Sequence, residues 1–173
     1  LLASKFWGKK GGSIAAIFYS FAPYHALDFY VRGAMGEMWA LALFPAVFWA
    51  AKRIEEKSNI LNLLIFGISI AVLILSHNLS AMIFLPLAAI WMILLFLKRK
   101  AKKLLWFSLG GVILGILLSA FYLLPALFEK NLVHLETTVE GYFSYTEHFK
   151  GFRKLFLARS WGYGASIREV PGG

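Results

Sequence analysis

The 173-residue chain has no cysteine, so it can build neither a disulfide framework nor a thiolate metal site. Charge is also scarce. Only 16% of residues are Asp, Glu, Lys or Arg, against 60% hydrophobic, a balance far from that of soluble domains. Acids are outnumbered nine to eighteen by Lys and Arg, which gives a net charge of +9. Several familiar chemistries are missing: there is no Gly-rich phosphate loop, no G-x-S-x-G turn and no H-E-x-x-H helix. The histidines His25, His77, His134 and His148 are too dispersed to mark a zinc site. Anything catalytic must assemble in three dimensions.

What the chain does have is long apolar runs. Residues 34–51 carry one charge, Glu37, and 60–76, 79–97 and 104–128 carry none. Each approaches or exceeds the roughly 20 residues that cross a bilayer as a helix. Residues 13–27 form a shorter run containing Pro23, expected to be a tilted or partial span that bends at the proline. The fold class expected is therefore all-α: a polytopic transmembrane bundle of about five spans over residues 1–128, in the cell membrane. Residues 129–173 would follow as an extracytoplasmic juxtamembrane segment.

The loops set an orientation, because basic residues are retained on the cytoplasmic side during insertion. Lys5, Lys9 and Lys10 precede the first run, Lys52, Arg53 and Lys57 follow the second, and Lys98, Arg99, Lys100, Lys102 and Lys103 separate the last two. With Glu55 and Glu56 these account for the whole +9, and the remaining charges cancel. The N-terminus is thus expected inside and the tail outside. The same loops explain the basic pI without nucleic acid. The chain begins Leu1-Leu2 and ends Pro171-Gly172-Gly173, and is expected to be an internal piece of a larger membrane protein, with the rest of that polypeptide as a partner. No small-residue cleavage site follows the N-terminal lysines, so no signal peptide is assigned.

On the expected outer face, Tyr24, Asp28 and Arg32 recur every four residues and would share a face if the segment after Pro23 is helical. Glu37 opens the second run, where an ionisable group must be paired or face a wet cavity, and Arg32 is its nearest candidate partner. Two readings are open. The residues form an interfacial ion cluster with an aromatic belt, or they form a site in which an acid serves as base or metal ligand and a cation meets a phosphate. No cofactor is indicated beyond the divalent cation that such acids could hold. The turn Ser76-His77-Asn78-Leu79-Ser80 poses a similar choice: Asn78 or Ser80 caps the fourth run, or His77 joins the pocket of Asp28 and Arg32.

After Glu129 the composition changes. Residues 149–157 read as a basic amphipathic helix on the membrane surface, and Trp161-Gly162-Tyr163-Gly164 as a loop whose backbone can approach a ligand while its rings stack on it. Within the bilayer, Gly111, Gly115 and Ser119 form a small-residue stripe for close helix contact. Pro45 and Pro86 should kink their helices, with the freed carbonyls satisfied by neighbours.

The segments Ser20-Phe21-Ala22-Pro23-Tyr24-His25, Tyr30-Val31-Arg32-Gly33-Ala34, Leu75-Ser76-His77-Asn78-Leu79-Ser80, Leu124-Pro125-Ala126-Leu127-Phe128-Glu129 and Ser160-Trp161-Gly162-Tyr163-Gly164 carry a resemblance over nearly the whole chain. They resemble the bacterial multi-pass membrane proteins of the "6-pyruvoyl-tetrahydropterin synthase-related domain, membrane protein" family. These in turn resemble the GT-C superfamily of membrane glycosyltransferases. The resemblance implies transfer of a sugar from a polyprenyl-phosphate donor at the outer face of the membrane. It gives Asp28 or Glu37 the catalytic role of base or metal-binding acid, and gives substrate contacts to Tyr24, His25, Arg32, His77, Asn78, His148, Trp161 and Tyr163. The alternatives are a lipid or polysaccharide transporter or flippase subunit, which would need polar residues at mid-membrane depth, and a non-catalytic membrane scaffold.

Overall fold

The computed structural model describes residues 1–129 and residue 132, and all regular structure among them is helical. The chain divides into two compact units, Leu1–Leu123 and Leu124–Gly173. The helices are α1 (Ser4–Ser20), α2 (Pro23–Ala26), a π-helical segment (Leu27–Arg32), α3 (Met35–Glu56), α4 (Ile60–Ser76), α5 (Asn78–Arg99) and α6 (Lys102–Phe128). α5 and α6 are long and apolar enough to cross a membrane, and α4 is equally apolar but shorter.

The expected first span needs correction. α1 is interrupted at Trp7 and Gly8, where Gly8 takes φ +65°, and it ends at Ser20 rather than continuing through Pro23. Its regular part covers only about 18 Å at 1.5 Å per residue, short of a hydrocarbon core of roughly 30 Å. Pro23 does not bend a helix. It opens α2 at the first helical position, where its missing N–H leaves no donor unsatisfied.

α3 and α4 pack against each other and both contact α5. The core holds small side chains from α3 (Ala40, Val47, Ala50, Ala51), fitted against Phe66, Ile70 and Leu73 of α4 and Phe84 of α5. Phe44 stacks on Phe84 with ring centroids 4.0 Å apart. α6 reaches α4 through the small-residue stripe. A side-chain carbon on Gly67 would lie 2.9 Å from the Gly111 carbonyl oxygen, and one on Gly115 would lie 3.0 Å from the Gly67 carbonyl oxygen. The two backbones are therefore in near contact, as the stripe predicts.

α3 runs on through Pro45, whose ring removes the donor for the Leu41 carbonyl. The Tyr19 hydroxyl of α1 donates to that carbonyl at 2.6 Å, which satisfies it from a neighbouring helix. The turn between α3 and α4 is tied by Asn62. Its amide donates to the carbonyls of Arg53 and Lys57 and accepts from Arg53 Nε at 2.8 Å.

The lysine-rich loops gather at one end of the bundle. There Lys5 bonds Glu56 at 2.7 Å, and Glu55 accepts from both Lys52 and Arg99. The residues of the 23–37 segment and the α4–α5 turn lie at the opposite end.

Candidate functional site

At that opposite end, one guanidinium organises the polar residues. Arg32 Nη1 donates to Asp28 Oδ1 at 3.0 Å and to the Tyr24 hydroxyl at 2.8 Å, and it lies 3.0 Å from Glu37 Oε2. The Tyr24 hydroxyl in turn donates to the second oxygen of Glu37. The three residues grouped by their four-residue spacing and Glu37, expected to pair with Arg32, thus form one closed network.

The backbone makes this possible in a form the spacing did not predict. Residues 27–32 are π-helical rather than α-helical, and the wide turn closes with the Asp28 carbonyl accepting from Gly33 and from Ala34 N–H at 3.1 Å. Gly33 holds φ +62°, a left-handed conformation that suits glycine and turns the chain into α3. Glu37 then falls in the first turn of α3, where the helix dipole favours a carboxylate.

The two acids differ in access. The Asp28 side chain is 0% exposed, whereas Glu37 is 15% exposed and Arg32 is 47% exposed. Asp28 does lie beside Arg32, but not in the exposed position that an interfacial ion cluster suggests. The structure instead buries it completely, with Oδ2 lacking any hydrogen-bond partner among the described residues. Burial raises the Asp28 pKa, and the nearby Glu37 charge raises it further, while Arg32, His77 and His25 oppose the shift. Burial and the hydrogen bond to Glu37 likewise raise the Tyr24 phenol. Burial works against the Arg32 cation, but Glu37, Tyr24 and Asp28 outweigh it and its pKa rises. Glu37 is thus the more accessible of the two acids, and Asp28 is joined to it through Arg32.

The α4–α5 turn lies against this cluster. A side chain on Gly36 would meet the Ser76 carbonyl oxygen at 2.5 Å and the His77 ring at 3.8 Å, so glycine there lets the start of α3 approach the end of α4. His77 is itself the N-cap of α5, accepting from Ser80 N–H and sharing a 2.7 Å hydrogen bond with the Ser80 hydroxyl. The expectation that Asn78 or Ser80 would be the cap is thus corrected: Asn78 lies one residue inside the helix, exposed, with its side chain bonded to Leu79 N–H. His25 is set edge-on to the Tyr19 ring at 4.9 Å. Tyr19 and Gly36 shape the site and were not singled out from the sequence. Their signals, a tyrosine facing a helix proline and a glycine one residue before an acid, have meaning only once the helices are paired. His148, Trp161 and Tyr163 lie outside the described residues.

Asp28 and Glu37 both engage Arg32, and among the described residues no three of His, Cys, Asp and Glu converge.

The family described as "6-pyruvoyl-tetrahydropterin synthase related domain; membrane protein" matches residues 1–168. The chain belongs to this family. No curated protein and no solved structure matches it. Membership in the 6-pyruvoyl-tetrahydropterin synthase-related family agrees with the apolar helices α5 and α6: this is a membrane protein. The pterin-synthase wording of the family finds no counterpart in the site, which offers a tyrosine, an arginine and two acids at one end of a helical bundle.

Proposed function

We propose that this chain is the membrane-embedded part of a GT-C-like glycosyltransferase, which moves a sugar from a polyprenyl-phosphate donor to an acceptor at the outer face of the cell membrane. The observation that carries the reading is the convergence of Tyr24, Asp28, Arg32 and Glu37 at the bundle end opposite the lysine-rich loops. With the lysine-rich end held inside, the opposite end of the bundle, where this network lies, faces the outer leaflet.

In this reading Glu37, the more accessible acid, takes the proton from the acceptor hydroxyl, and half-exposed Arg32 faces the donor phosphate. Asp28 holds Arg32 in place from behind. His25 and His77 flank the entrance. The Trp161 and Tyr163 rings, with His148 and Asn78, are assigned to the sugar and acceptor. A transporter is disfavoured by the uncharged and almost wholly apolar runs 60–76 and 79–97.

A non-catalytic scaffold is the second reading. It is favoured by the network itself, in which Arg32 already has three partners, as an interfacial anchor would. Incorporation of radiolabelled sugar from polyprenyl-phosphate donors, by membranes containing the full-length protein, separates the two. Glu37→Gln keeps the size of the side chain and removes its charge, and is expected to reduce transfer on the order of 10²-fold or more at unchanged protein level. Arg32→Ala is expected to abolish it. Transfer that survives both variants, or no transfer by the wild type from any donor, leaves the scaffold reading.

A further inference from the structure

A groove of about 280 Å³ runs between α5 and α6 with α4 as its floor. Its walls include Leu85, Met92 and Phe96 of α5 and Leu104 and Ile116 of α6, with Ile70 beneath. Ser108 is its one polar lining residue, and that hydroxyl already donates to the Leu104 carbonyl at 2.6 Å. The groove thus offers hydrocarbon and no open hydrogen-bonding group. From Leu104 to Ile116 it extends about 18 Å along α6 at 1.5 Å per residue, close to the depth of one leaflet, half of a roughly 30 Å hydrocarbon core.

The end of the groove marked by Phe96 and Leu104 meets the tightest concentration of positive charge in the chain. α5 and α6 are joined by Lys100 and Ala101, with Lys100 in a left-handed conformation at φ 50°. This short turn gathers Lys98, Arg99, Lys100, Lys102 and Lys103 at the groove mouth. Arg99 is taken up by Glu55, but among the described residues no carboxylate pairs with the four lysines. The Lys103 ammonium lies over the Phe107 ring at 5.6 Å, directly beside the groove helix.

An apolar slot one leaflet deep, ending at unpaired lysines, matches a molecule with a hydrocarbon tail and an anionic head. We propose that the α5–α6 groove is a binding site for an anionic glycerophospholipid, with an acyl chain lying along Met92 and Ile116 and its phosphate held by Lys98, Lys100, Lys102 and Lys103. In the topology proposed above this is a lipid of the cytoplasmic leaflet. The binding itself does not depend on that topology or on the transferase reading.

The test is native mass spectrometry of the delipidated full-length protein, titrated with phosphatidylglycerol and with phosphatidylcholine of identical acyl chains. Phosphatidylglycerol is expected to bind at least tenfold more tightly. The preference should fall to near unity when Lys98, Lys100, Lys102 and Lys103 are all changed to Gln. Ala89→Trp, which fills the groove from a position exposed on α5, should remove tight binding while leaving the lysines in place. Equal binding of the two lipids, a preference that survives the four substitutions, or tight binding unaffected by Ala89→Trp would each overturn the proposal. So would a stable dimer that Ala89→Trp dissociates, because a second copy would then be the occupant.

Discussion

The contact between α4 and α6 gives the sharpest test of the fold, because two neighbouring glycines predict opposite outcomes. A carbon added at Gly67 meets the Gly111 carbonyl oxygen at 2.9 Å and Leu114 Cδ2 at 2.8 Å. The oxygen belongs to a helix backbone and cannot rotate aside, so the helices must separate by about 0.5 Å to restore ordinary contact. Overpacking of this kind costs about 1–3 kcal/mol. The better helix propensity of alanine offsets about 1 kcal/mol of that. A carbon at Gly110 meets only Leu63 Cδ1 at 2.9 Å, the end of a flexible side chain that can turn away. Gly110→Ala should therefore keep the propensity gain, and should exceed Gly67→Ala in stability by about 1–3 kcal/mol. Denaturation of the full-length protein in mixed micelles by increasing SDS measures the difference. If Gly67→Ala proves as stable as Gly110→Ala, α4 and α6 do not meet at these residues and the packing argued here is wrong.

Two further predictions concern the two polar ends. The Asp28 carboxyl has its pKa raised above its ordinary 3.8, so the folded state binds the proton more tightly than the unfolded chain. Its contribution to stability is then fully present below that ordinary value and is lost as pH rises through the raised one. The thermal midpoint of the wild type relative to Asp28→Asn should fall over that window, and a difference independent of pH would contradict the burial of Asp28. At the lysine-rich end, Glu55 is enclosed by Lys52 and Arg99 with its side chain 1% exposed, whereas the Lys5–Glu56 pair is 38% and 36% exposed. Glu55→Ala should cost about 1.5–3 kcal/mol and Glu56→Ala about 0–1 kcal/mol, and equal losses on unfolding in micelles would refute the distinction.

Much of the bundle is legible in the sequence because its helices are written as uninterrupted apolar length. Residues 60–76 match α4, and the runs 79–97 and 104–128 differ from α5 and α6 by two residues or fewer at each end. The run 34–51 ends earlier than α3, since the last helical turn carries Lys52, Arg53, Glu55 and Glu56, whose charges pair across helix ends instead of breaking the helix. The first segment was misjudged because apolar content does not report the break at Gly8 or the new start at Pro23. In the site, the four-residue spacing found Tyr24, Asp28 and Arg32, and proximity found Glu37. The burial of Asp28 was not legible. It depends on α3 and the α4–α5 turn closing over the segment, and that closure is set by Gly36, a residue without chemistry of its own.

The two ends of the bundle resolve their charges in opposite ways, and this bears on what each can bind. At the lysine-rich end Glu55 and Glu56 serve three cations, and the four lysines around the α5–α6 turn are among those left over for an external anion. At the other end one cation serves two acids, so an approaching phosphate must compete with carboxylates that already hold Arg32. Burial and the neighbouring Glu37 charge favour the neutral form of Asp28. Proton uptake there removes one negative charge from Arg32 and leaves the Arg32–Glu37 pair electrically balanced. Arg32 holds Oδ1 of Asp28, so the proton falls to the buried Oδ2, which has no hydrogen-bond partner among the described residues.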